Sequence, residues 1–147
     1  MKNPLRNLLV LSVFVSLALL ASAAPLKVHT GGAIDQIAPK LAGKGEFELV
    51  AVPAGELRKP MVTKYAHLAV PASIKMETKE HNVQVGVVLS AEGKVLATCV
   101  VASDCPELAR AAEQQMRQTQ FSPATVNGEP IPFFFVFPVS YQYQPRN

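Results

Sequence analysis

The sequence has no tryptophan, only two cysteines and no apolar run as long as a membrane span. Its longest apolar run, residues 8–20, is shorter than the roughly 20 residues that a transmembrane helix needs. Charge bias is also weak. Lys2 and Arg6 are two of the 14 basic residues, and the rest of the chain has 12 basic and 11 acidic residues. A balance this even gives no reason to predict a nucleic acid or an anionic surface as partner.

The first 23 residues have the pattern of a secretory signal peptide. A basic start precedes the short apolar run, and Ala21-Ser22-Ala23 follows it as a small-residue cleavage site. We expect cleavage after Ala23 and export of the mature chain. The alternative is an uncleaved segment that anchors the chain in a membrane.

Residues 24–80 carry a weaker pattern than the rest of the chain. Pro39 interrupts a helical spacing of apolar residues, whereas residues 45–53 alternate as a short amphipathic strand. We expect this segment to be poorly defined and to pack in part on a domain formed by residues 81–147.

The order of elements is clearer beyond residue 81. Alternating valines in residues 83–89, a turn at residues 91–93 and a β-rich run at residues 95–101 predict an antiparallel hairpin. Asp104 and Glu107 have the spacing of a helix-capping box, and an apolar stripe at helical spacing follows them. The sequence therefore predicts a strand, a second strand and a helix in succession.

The last part of the domain predicts a reversal and one long strand. Asn127-Gly128 accepts the positive φ angles of a two-residue turn, and residues 131–143 alternate with aromatic side chains on one face. Pro132 and Pro138 deprive one side of this strand of donors, so we expect that side to be the outer edge of the sheet. The predicted fold class is α+β, a small antiparallel sheet (strand-strand-helix-strand) packed by one helical layer.

A run of specific residues connects these elements to a known family. After an alanine-bearing helix come Phe121-Ser122-Pro123-Ala124, then Asn127-Gly128, Pro130 and a closing apolar strand. In this pattern residues 82–143 resemble the C-terminal domain of the TonB family. The resemblance implies a periplasmic module, similar to an energy transducer and associated with TonB-dependent transport across the envelope. An uncleaved start would instead hold it at the inner membrane, facing the periplasm.

The resemblance also implies a partner and a mode of binding. The partner is a protein, with an outer-membrane TonB-dependent transporter as the leading candidate, and it adds a strand to the edge of the last strand. The backbone groups implicated are those of Phe134, Val136, Ser140 and Gln142. The alternative is a structural or assembly protein that uses the same fold to form a homodimer or larger homo-oligomer.

The remaining chemistry-bearing residues indicate structural roles. Cys99 and Cys105 are close enough in an exported chain to predict a structural disulfide. The three histidines are far apart and lack metal-ligand spacing. We find no nucleophile, acid/base or metal constellation, and therefore expect no enzyme activity, no cofactor and no small-molecule substrate.

Overall fold

The computed structural model describes residues 24–67, Val70 and residues 80–142. The predicted signal peptide lies outside the described residues. Neither helix of the described part has the length and apolar content of a membrane span. The elements, in chain order, are β1 (Leu26–Thr30), α1 (Ile34–Leu41), β2 (Phe47–Ala51), β3 (Leu57–Arg58), β4 (Val62–Lys64), β5 (Glu80–Leu89), β6 (Val95–Ser103), α2 (Pro106–Gln118), β7 (Gln120–Phe121), β8 (Ala124–Val126), β9 (Glu129–Ile131) and β10 (Phe133–Gln142).

The main sheet has five strands in the order β2-β1-β10-β5-β6. The predicted hairpin is present as the antiparallel pair β5 and β6, and β10 runs antiparallel to β5 along its whole length. The α+β class is confirmed. The expectation of a purely antiparallel sheet is wrong, because β1 pairs in parallel with both β10 and β2.

Helices cover both faces of this sheet, rather than the one face that the sequence predicted. On one face, α2 packs Leu108, Ala112 and Met116 against the odd-numbered residues of β5 and β10. On the other face, α1 packs Ile37 and Leu41 onto a second core. Its other buried members are Val28, Val88, Ala97, Cys99 and Phe134. The early part of the chain therefore contributes a strand pair and a helix to the same sheet.

The position of the last strand also differs from the prediction. β10 lies between β1 and β5, so it is not an edge strand of the sheet. The reason lies at Pro132, whose carbonyl accepts a hydrogen bond from the N–H of His29 at 3.0 Å. A proline keeps its acceptor although it has lost its donor, and that acceptor is sufficient for β1 to begin pairing here.

One predicted turn is present, and one predicted helix cap is not. Asn127 and Gly128 both have positive φ, 50° and 82°, and they join β8 to β9 as the Asn-Gly reversal predicted. The prediction of a capping box at the start of α2 is wrong. The N-cap residue is Cys105, and its side chain makes no capping hydrogen bond. Asp104 instead contacts the ring of His81, with Nδ1 and Oδ1 3.2 Å apart.

Candidate protein-binding edge

β1 covers only the beginning of β10. The parallel ladder pairs His29 with Phe133 and Thr30 with Phe134, after which the chain leaves the sheet toward α1. β10 continues to Gln142 and pairs there with β5. Among the described residues, no strand pairs with the other side of residues 135–142. We call this unpaired side the open edge.

The backbone groups on the open edge follow from the pairing at its start. The Pro132 carbonyl points toward β1, and residues two apart along a strand direct their N–H and C=O groups to the same side. The register of β10 with β5 is continuous from Phe133 to Gln142. The N–H groups of Val136, Ser140 and Gln142 therefore face the open edge, whereas Pro138 offers only a carbonyl.

The four residues implicated by the sequence thus lie along one side of one strand, with different surroundings. Phe134 has its backbone in the ladder with β1 and its ring 2% exposed. Val136 is 41% exposed. Ser140 donates its hydroxyl to Asn82 Oδ1 at 2.8 Å, and Gln142 is exposed. The open edge therefore begins beyond Phe134.

A cavity flanks the open edge at each end. The first, of about 340 Å³, lies where β1 ends, and its lining includes Thr30, Gly32, Ile37 and residues 133–137. The second, of about 390 Å³, lies beside residues 137–142. Its remaining lining residues are Tyr65 and Val70, which lie between β4 and β5, and Gln115 and Met116 of α2. We call the second one the tyrosine cavity.

Two buried polar atoms of residues that line the tyrosine cavity have no hydrogen-bond partner among the described residues. They are Oε1 of Gln115 and the hydroxyl of Tyr141. The amide nitrogen of Gln115 uses one of its two N–H groups to donate to the carbonyl of Ala66 at 3.1 Å. Burial raises the pKa of Tyr141 to about 12, so its hydroxyl keeps its proton at neutral pH. The sequence pattern does not indicate these residues, since only the fold brings residues 65, 115 and 141 together.

The predicted disulfide is not present, and both cysteines are free thiols. Their positions explain why. Cys99 is buried in the core under α1, whereas Cys105 packs against the core under α2, on the opposite face of the sheet. Burial raises the pKa of the Cys99 thiol. Proximity in sequence could not predict this separation, because β6 ends at Ser103 and Cys105 lies beyond it, at the start of α2.

The described residues contain no cluster of three or more side chains suited to hold a metal ion. The family model described as the Gram-negative bacterial TonB protein C-terminal matches residues 66–143. No curated protein and no solved structure matches the chain.

Proposed function

This chain belongs to the TonB C-terminal family, and from that premise we propose that it docks a protein partner of envelope transport by strand addition to the open edge of β10. The family consists of non-enzymatic periplasmic domains associated with energy transduction. The observation that carries the proposal is the open edge itself, where the backbone groups of Val136, Ser140 and Gln142 have no pairing strand among the described residues.

An incoming strand would satisfy these groups at little conformational cost to the domain. The seven residues from Val136 to Gln142 span about 20 Å at the rise of a β-strand, which suits an extended partner segment of similar length. β5 holds β10 in register from the other side, so the edge is already extended before binding. Main-chain hydrogen bonds would supply affinity, and the flanking cavities would select side chains.

The partner is best sought among outer-membrane transporters, because the family acts in transport across the envelope. Pairing of two copies through β10 is the competing assembly. In an antiparallel pair centred on Pro138, both strands would lack a donor at the centre of the ladder. The edge is therefore better suited to a different strand than to a copy of itself.

The replacement Ser140→Pro tests the open edge directly. It removes a second outward N–H without removing a bond to β5, and we expect peptide affinity to fall about tenfold, since a lost hydrogen bond of about 1.4 kcal/mol has that effect. Synthetic peptides from the periplasm-facing segments of the transporters of the same cell are the probe. Backbone amide signals of Val136, Ser140 and Gln142 are monitored by NMR during titration.

The matched control is Ser140→Ala, which loses the hydroxyl bonded to Asn82 but keeps the N–H. It should bind as the parent does. Amide signals that stay unchanged at high peptide excess, or equal binding by Ser140→Pro, would contradict strand addition. Sedimentation tests the alternative, in which two copies pair through β10. Dimers that form with rising concentration, and that Ser140→Pro abolishes, would indicate such self-pairing.

A further inference from the structure

We propose that the tyrosine cavity is a specificity pocket that receives one uncharged, hydrogen-bonding side chain of the added strand, with a primary amide as the best fit. This inference rests on the strand addition proposed above. It assigns a selective role to Gln115 and Tyr141, neither of which belongs to the open edge itself.

The first argument is the pair of unpaired atoms. Buried side-chain oxygens and hydroxyls are almost always hydrogen-bonded in folded proteins, yet Gln115 Oε1 and the Tyr141 hydroxyl find no partner in the part of the chain that the structure describes. Tyr141 is only 6% exposed. Both residues line the same cavity. Two unmet hydrogen-bonding groups at one cavity indicate that a polar group is to be supplied from outside.

The second argument is the direction of the partner's side chains. Val139 and Tyr141 direct their side chains to the face covered by α2. In a strand added to the open edge, residues opposite these odd-numbered positions project to that same face. The tyrosine cavity lies on this side, between β10 and Met116 of α2. A partner side chain opposite Val139 is therefore placed to enter it.

The chemistry of the lining selects the class of side chain. Gln115 Oε1 is an acceptor, and one N–H of the same amide already donates to Ala66, so a group that meets Oε1 must donate. Tyr141 keeps its proton, since its pKa is about 12, and can donate in turn. A primary amide matches both, because its N–H donates to Gln115 while its carbonyl accepts from Tyr141.

Charged side chains fit less well. A carboxylate would place an acceptor against the acceptor Gln115 Oε1. A lysine could donate to both atoms, but none of the described residues that line the cavity is acidic, and burying an unpaired charge is unfavourable. A leucine would fill the volume and leave both polar atoms unpaired. Asparagine or glutamine is therefore expected at this position of the partner.

The test begins with heptapeptides selected from a random library on the full-length protein. The selected peptides are resynthesised with Gln, Leu, Glu or Lys at each position in turn, and binding is measured by calorimetry. At one position, Gln should bind at least tenfold more tightly than the other three. In the double variant Gln115→Met, Tyr141→Phe, this preference should disappear while the Leu peptide binds as it does to the parent.

The outcomes separate this inference from the proposed function. If no heptapeptide binds, strand addition fails and the pocket fails with it. If peptides bind and shift the amides of Val136 and Ser140 but show no amide preference, the pocket is overturned and strand addition stands. That result would mean that water alone satisfies the cavity. The peptide substitutions are read on the parent protein, so the test does not depend on the variant folding.

Discussion

Replacing Gly86 with alanine tests how tightly β10 is packed. Gly86 lies in β5, opposite Val136 of β10 and Cys99 of β6. A Cβ atom there would stand 2.7 Å from Cys99 Sγ and 2.7 Å from the ring of Phe134, closer than real Cβ atoms approach. Both neighbours are 2% exposed, so neither can move into solvent.

Two opposing effects determine how far Gly86→Ala changes the free energy of unfolding. Alanine restricts the unfolded chain and would by itself stabilise the protein by about 0.4–1 kcal/mol. Overpacking a close-packed core costs about 1–3 kcal/mol, and here the added methyl group meets two neighbours at once. We expect a net loss of about 1–2 kcal/mol in the free energy of unfolding. With a typical urea dependence, the midpoint should fall by about 0.5–1 M.

Urea unfolding followed by circular dichroism measures this loss. Gly31→Ala is the matched control, because a Cβ at Gly31 meets nothing within 4 Å and its midpoint should stay or rise slightly. Adding Cys99→Ala to Gly86→Ala should restore part of the loss, since the two sites share one contact. An unchanged or higher midpoint for Gly86→Ala would refute the packing described for Phe134 and Cys99.

Three further predictions follow from burial. Cys105 should react quickly with a thiol reagent and Cys99 only on unfolding, because Cys99 is buried and burial raises its pKa; two unreactive thiols in unfolded, unreduced protein would instead indicate a disulfide. Tyr141 ionises at about 12 when folded and at about 10 when unfolded, so the free energy of unfolding should fall as pH rises from 10 to 12, and ultraviolet titration in which every tyrosine ionises near 10 would contradict this. Val28→Ala should cost about 2 kcal/mol in urea unfolding, since Val28 is fully buried; no change would mean that β1 is not part of the cooperative domain.

The elements that the sequence predicted well are those whose signal is local. The capping region aside, α2 follows its apolar stripe, and the turn at Asn127-Gly128 follows from two residues that accept positive φ. β1 has no comparable signal. Its five residues, LKVHT, bury chiefly Val28 and Thr30, and its place is set by partners at residues 47–51 and 133–134. Such long-range parallel pairing cannot be inferred from one strand.

The candidate site also has one part that local sequence signals predict and another that depends on long-range packing. The shared side of Pro132 and Pro138 predicted which backbone groups of β10 face away from β5, because alternation along a strand is a local rule. The length of the open edge was not predictable, since it depends on where β1 ends. The tyrosine cavity was less predictable still, because Gln115 and Tyr141 meet only through the packing of α2 on the sheet.

The short overlap of β1 with β10 gives the site its form. If β1 paired along all of β10, no backbone group would remain for a partner; if it were absent, ten residues of an aromatic strand would expose one side. Pairing at Phe133 and Phe134 alone fixes the aromatic start of the strand and leaves its more polar end open. Pro138 lies within this remainder and lowers its capacity for self-pairing. The open edge is therefore limited in length and donors, which favours a short extended partner over unrestricted β-association.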